Sequence, residues 1–220
     1  MKLNIFYFAY LVSEIDVFLD QVNLLKSSGL YNKANKIYIS IQTAKNNLCG
    51  GSIENDKEVL KALSTIPLAE VIYKKSEDLY EYPGLKLAWD EAQKDKAFDS
   101  ISLYFHTKGI ATRNLGNTHI RKILEKNLLI DYENILNKFK LNLSINKIGL
   151  YKSLNGFLWF NFFYVRNSYL AYHKEPIISS NRYYYEEYIK GKGNEDTIAI
   201  ANGYASDDGN QIIKFFSKQF

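Results

Sequence analysis

The stretch Leu3–Ala9, LNIFYFA, reads as one buried β-strand. It is apolar almost throughout, so it leaves no polar face for water, which is the signature of a strand covered on both sides. The segments that follow agree. Ser13 can open a helix, with Asp16 three residues on and Val17, Leu19, Val22 and Leu25 spaced for an apolar face. Gly29 stands where a helix C-terminus places one. Lys36–Gln42 (KIYISIQ) is a second strand, Asn55–Leu63 a helix, and Ala69–Lys75 (AEVIYKK) a third strand. Pro83 suits the first turn of a helix over Pro83–Lys96, because it has no amide proton to leave unpaired there. Ile101–His106 (ISLYFH) is the fourth strand. Strands separated by helices predict βαβ units: a Rossmann-like, mostly parallel central sheet flanked by helices on both faces. Ligands in such sheets bind beyond the C-terminal ends of the strands. Those ends are Ala9–Val12, Gln42–Lys45, Lys75–Tyr82 and His106–Gly109.

The second half is different. It holds a long helical stretch over Thr118–Phe139, a short strand near Lys147–Tyr151 and the aromatic segment Trp159–Tyr172. Neither a Pro/Ser-rich linker nor a repeat divides the chain, so residues 1–220 read as one domain. The longest apolar runs fall short of the roughly 20 residues of a membrane helix, and MKLNIFYFAY reads as a strand rather than a signal peptide. The net charge of +4 is spread among acids with no basic stripe, which argues against a nucleic-acid partner. Cys49 is the only cysteine, which excludes an intrachain disulfide and fits a cytoplasmic location. Eighteen Tyr and 13 Phe make either a Tyr-rich core or a surface on which sugars and bases stack.

The strongest chemical signal is Leu103–Gly109, LYFHTKG. A strand ends in His106-Thr107-Lys108, and Gly109 permits a sharp exit. Alternation sends positions 106 and 108 to one side, so an imidazole and a cation meet at the ligand-binding edge. Lys108 can neutralise a diphosphate as it leaves, or a metal can. His106 can hydrogen-bond a phosphate or a sugar hydroxyl, or ligate a metal.

LYFHTKG resembles the YxHTKG signature of a family of bacterial and viral GT-A-like glycosyltransferases, to which the first domain of a chlorella-virus capsid glycosyltransferase is similar. Leu79–Leu87 (LYEYPGLKL) resembles the family's YPTL helix start, with Gly84 in place of Thr. Trp159–Leu170 (WFNFFYVRNSYL) resembles GNFWWARxxYL, with Phe160 at the Gly and Phe163–Tyr164 at the tryptophans. Arg182–Ile189 (RYYYEEYI) resembles RYxxExWI, with Glu187 at the acid and Tyr188 at the Trp. In the following helix Ile120-Arg121 stands where the family has a Trp-Arg pair, so the Trp is absent.

The resemblance implies a UDP-sugar donor, hexose transfer to a glycan or glycoprotein acceptor, and inversion. It also implies that the chain is a virus-encoded or bacterial enzyme, or one domain of a longer glycosyltransferase. Many GT-A enzymes hold Mn²⁺ or Mg²⁺ with Asp-x-Asp after the fourth strand; here His106-Thr107-Lys108 stands there. Either Lys108 replaces the metal's charge, or a divalent metal binds through another carboxylate. Asp78 is the first candidate for that ligand, or for a uracil or ribose contact, and Asp207-Asp208 is a second acidic pair. Glu187 is the expected general base, with Glu186 its competitor about 100° away on a helix. Tyr7, Tyr10 and Thr43, at or near the ends of the first two strands, can by location bind nucleobase and ribose, with a core position the competing reading for Tyr7, and Asn161 and Arg166 can contact donor sugar or acceptor. His119 and His173 have no ligand-like spacing. Two other classes stand beside this reading. One is a non-catalytic carbohydrate-binding module. The other is a nucleotidyltransferase, for which Cys49-Gly50-Gly51-Ser52 lacks the phosphate-loop spacing.

Overall fold

A computed structural model describes residues 1–11, 15–43, 57–75, 79–108, 115–181, 183–191, 196–200 and 211. The chain runs β1 (Lys2–Leu11), α1 (Asp16–Ser27), α2 (Leu30–Lys33), β2 (Lys36–Thr43), α3 (Lys57–Ser64), β3 (Ala69–Lys75), α4 (Tyr82–Lys94) and β4 (Ser100–His106). It continues through α5 (Leu115–Glu125), α6 (Tyr132–Leu141), β5 (Lys147–Gly149), β6 (Phe163–Arg166), α7 (Asn167–Leu170), α8 (Tyr183–Glu186) and β7 (Thr197–Ala199). The strands form one sheet in the order β3-β2-β1-β4-β6-β5-β7. β1 pairs in parallel with β2 and β4, and β2 with β3. Among the described strands only β6 runs antiparallel to its neighbours, β4 and β5.

Strand alternation divides the core between two faces. Leu3, Ile5, Tyr7, Ala9 and Leu11 of β1 pack with Ile101, Leu103 and Phe105 of β4 against α1, α5 and α6. Phe6, Phe8 and Tyr104 point the other way, toward α4 and α7. This two-sided burial is why β1 is apolar without alternation. Helix α4 lies very close to the sheet at Gly84, where a Cβ would sit 2.9 Å from Phe8 Cβ and from the Tyr104 ring. A side chain has no room at that position.

The expected continuous helix over Thr118–Phe139 is broken. α5 passes into a π-turn over Lys126–Ile130, and Asp131 (φ −86°, ψ 26°) separates it from α6. Inside the π-turn, the carbonyl of Leu128 accepts a 2.7 Å hydrogen bond from the buried Tyr164 hydroxyl on β6. A tertiary partner thus fixes the break. The expected strand at 147–151 is shorter, Lys147–Gly149. Ser13, Gly109, Asp78 and Asp207-Asp208 lie outside the described residues.

Candidate functional site

β1 is followed in the sheet by β2 on one side and β4 on the other, so the crevice between the C-terminal ends of β1 and β4 is a topological switch point. The His106-Thr107-Lys108 turn sits there. Thr107 stitches the two ends together. Its amide donates to Phe8 O at 3.1 Å. Its hydroxyl accepts from Tyr10 N at 2.8 Å and donates to Tyr10 O at 3.3 Å.

β6 extends the site from the other side. Tyr104 pairs with Phe163 in an antiparallel register; continuing that register brings Phe160 and Asn161 alongside His106. Both have left-handed backbones, φ 73° for Phe160 and φ 50° for Asn161. Such conformations cost on the order of 1–3 kcal/mol each in a non-glycine residue and persist only when their surroundings hold them. Here two side chains do. His106 Nε2 lies 3.0 Å from Phe160 O. A carbonyl only accepts, so Nε2 carries the proton. Glu186 Oε2 accepts from Phe160 N at 3.0 Å. A positive φ is the conformation glycine adopts most easily, yet here a phenylalanine holds it.

Around this clamped turn lie three polar groups with different surroundings. Asn161 is wholly buried, and neither its Oδ1 nor its Nδ2 finds a hydrogen-bond partner among the described residues. An unpaired buried amide is costly, on the order of 1–3 kcal/mol. Lys108 is half-buried, and its ammonium lies 4.8 Å from the centroid of the Phe160 ring. Glu186 is buried. The Tyr104 hydroxyl is buried nearby, and its proton is held well above the usual tyrosine range by burial first and by the Glu81 and Glu186 charges next.

Beneath the turn is a buried polar group built by α1 and α5. Gln21 Nε2 donates to Glu125 Oε1 at 3.0 Å and lies 3.4 Å from His106 O. Arg121 Nη1 donates to Lys108 O at 2.9 Å, and its Nε is 3.6 Å from Glu125 Oε1.

Several expected site residues stand elsewhere. Tyr7 is inside the core, stacked between Phe18 and Phe105 with centroids 5.7 and 4.5 Å away, so it presents nothing to a nucleotide. Arg166 is opposite Ile101, at the far end of β4. It is 2% exposed and donates to the carbonyls of Ile145, Phe98 and Phe139, so it holds the fold rather than a sugar. Glu187 pairs with Lys190 at 2.6 Å on a solvated face. Glu186 faces the site instead. The RYxxExWI spacing says the same: with Tyr188 and Ile189 aligned to its last two positions, the acid falls at 186. Tyr10 stays beside Thr107, and Thr43 ends β2 opposite Leu11. Glu125 and Gln21 were not singled out from sequence; the i,i+4 spacing of Arg121 and Glu125 was the signal available.

Among the described residues no group of three or more His, Cys, Asp or Glu is placed to hold a metal. His106 Nε2 is committed to a carbonyl, so it is not a ligand through that atom. Asp78, the expected metal ligand, lies outside the described residues. No helix among the described residues is long and apolar enough to cross a membrane. No family model, curated protein or solved structure matches the chain.

Proposed function

We propose that this protein is a GT-A-like glycosyltransferase that moves a hexose from a UDP-sugar to a glycan or glycoprotein acceptor. One observation carries the reading. At the β1/β4 switch point a strained turn, clamped from both sides, gathers a cation (Lys108), an unpaired buried amide (Asn161) and a buried carboxylate (Glu186). Strain and unpaired polar groups both cost stability, and both collect where a ligand repays them.

The roles follow from the charges. Lys108 meets the diphosphate and stabilises the negative charge that grows as UDP leaves. Asn161 offers one donor and one acceptor end to a donor hydroxyl pair, which an amide reads well. Glu186 takes the proton of the acceptor hydroxyl as its oxygen forms the new bond to the anomeric carbon and the bond to UDP breaks, with inversion. Tyr10 and Thr43 border the nucleoside side, and a divalent ion held through Asp78 would share the diphosphate charge with Lys108. The test is a thermal-shift screen with UDP, GDP and CMP, each with and without Mn²⁺. A UDP-specific rise in Tm, smaller but still measurable in K108A, is expected. Glycan binding with no response to any nucleotide would overturn this reading in favour of a carbohydrate-binding module.

A further inference from the structure

Arg121 and Glu125 sit one turn apart on α5, 7% and 3% exposed. Burying an ion pair is expensive, and well-packed apolar residues would often serve stability as well or better. This pair does something packing would not do. Arg121 Nη1 donates to the carbonyl of Lys108 at 2.9 Å. Glu125 lies 3.6 Å from Arg121 Nε and accepts from Gln21 Nε2 at 3.0 Å, and the same Gln21 nitrogen is 3.4 Å from the carbonyl of His106. Lys122 lies 3.4 Å from the second Glu125 oxygen. Both carbonyls flanking Thr107 are thus held from helices α1 and α5 through one buried carboxylate. Thr107 itself is tied to Tyr10.

The consequence falls on Lys108. Its backbone is held at the carbonyl by Arg121, and its ammonium rests over the Phe160 ring. Among the described residues it pairs with no carboxylate. A lysine carries about 2 kcal/mol of rotamer entropy and is otherwise a poorly directed charge. Fixing its base narrows where the ammonium can reach before a ligand arrives, and preorganisation of this kind improves affinity by lowering the cost of binding.

We infer that Arg121, held by Glu125, is a positioning residue that sets Lys108 for the diphosphate of a nucleotide donor. The inference rests on the functional reading above, in which Lys108 meets that diphosphate. Its test is a double-mutant cycle on UDP affinity, measured by calorimetry on the full chain. R121M/E125L removes both charges together, which avoids stranding one of them, and R121K keeps a cation as a second, milder variant. In the Lys108 background R121M/E125L should weaken UDP binding about tenfold, within the coupling range of contacting residues. R121K should recover part of that loss. In the K108A background neither change should weaken UDP binding further. Equal losses in both backgrounds, or none in the first, would overturn the inference while leaving the functional reading intact. If R121M/E125L does not fold, the R121K cycle decides on the same criterion. A wild-type chain that binds no UDP defeats the functional reading and this inference with it.

Discussion

Two asparagines, Asn161 and Asn167, are wholly buried at opposite ends of β6. Asn167 is fully used: its Oδ1 accepts from Ser102 Oγ at 2.7 Å, and its Nδ2 donates to Asp95 O at 3.0 Å. Asn161 has neither bond. Their neighbours repeat the contrast. Beside Asn167, Arg166 gives its protons to main-chain carbonyls and lies between the Phe98 and Phe139 rings, 4.0 and 5.1 Å from their centroids. Beside Asn161, the backbone is left-handed at two successive residues. One end of the strand is a finished piece of protein interior. The other carries unpaired groups and strain, the pattern the proposed ligand site calls for.

The contrast can be broken most forcefully at Arg166. R166M leaves several buried carbonyls without donors, so it should cost about 3 kcal/mol or more by urea unfolding. UDP affinity of the folded fraction should not change; a selective loss of affinity would return Arg166 to the site. Next come the carboxylates. E186Q should lower transfer by roughly a hundredfold or more, as loss of a general base does, while E187Q stays within about twofold. The reverse ranking in a transfer assay would move the base back to the solvated face.

A smaller effect compares the asparagines directly. N167A should destabilise by about 1–3 kcal/mol because it strands Ser102 Oγ and a carbonyl. N161A should leave stability nearly unchanged or raise it, while weakening donor binding. Equal destabilisation by the two in matched melts would mean that Asn161 is structural.

The last effect is a slope. The His173 imidazole is pushed down to about 4, chiefly by burial and then by the Lys147 charge. Between pH 4 and its ordinary value near 6.5, the unfolded chain binds more protons than the folded one. Stability should therefore rise with pH across that window. H173F should flatten the rise; an unchanged slope in ΔG of unfolding against pH would place the titration elsewhere.

The first four strands were legible because each is long, β-branched or aromatic, and bounded by polar residues; Ala69–Lys75 matches to the residue. β5 and β7 have three residues each, and β6 lies within an aromatic run whose periodicity does not separate strand from helix. The site divided in the same way. His106 was legible as the last residue of β4, a local rule, whereas Lys108 lies past the strand end in a turn where its amide donates to His106 O at 2.8 Å. Glu186 and Glu187 are neighbours in sequence, and a rotation of about 100° puts one on a buried carbonyl-and-amide turn and the other in solvent.

LNIFYFA and the segments after it carry enough short-range information to specify an α/β sheet, because burial on two faces must be written into every residue of a central strand. They also locate the ligand-binding edge, since parallel strands share one C-terminal end. Which polar residues reach that edge is a different matter. Tyr7, Arg166 and Arg121 carry no local mark that distinguishes core, plug and support. Their roles follow from β6 running antiparallel beside β4 and from α5 packing under the His106–Lys108 turn. Those contacts join residues far apart in the chain, and only packing brings them together.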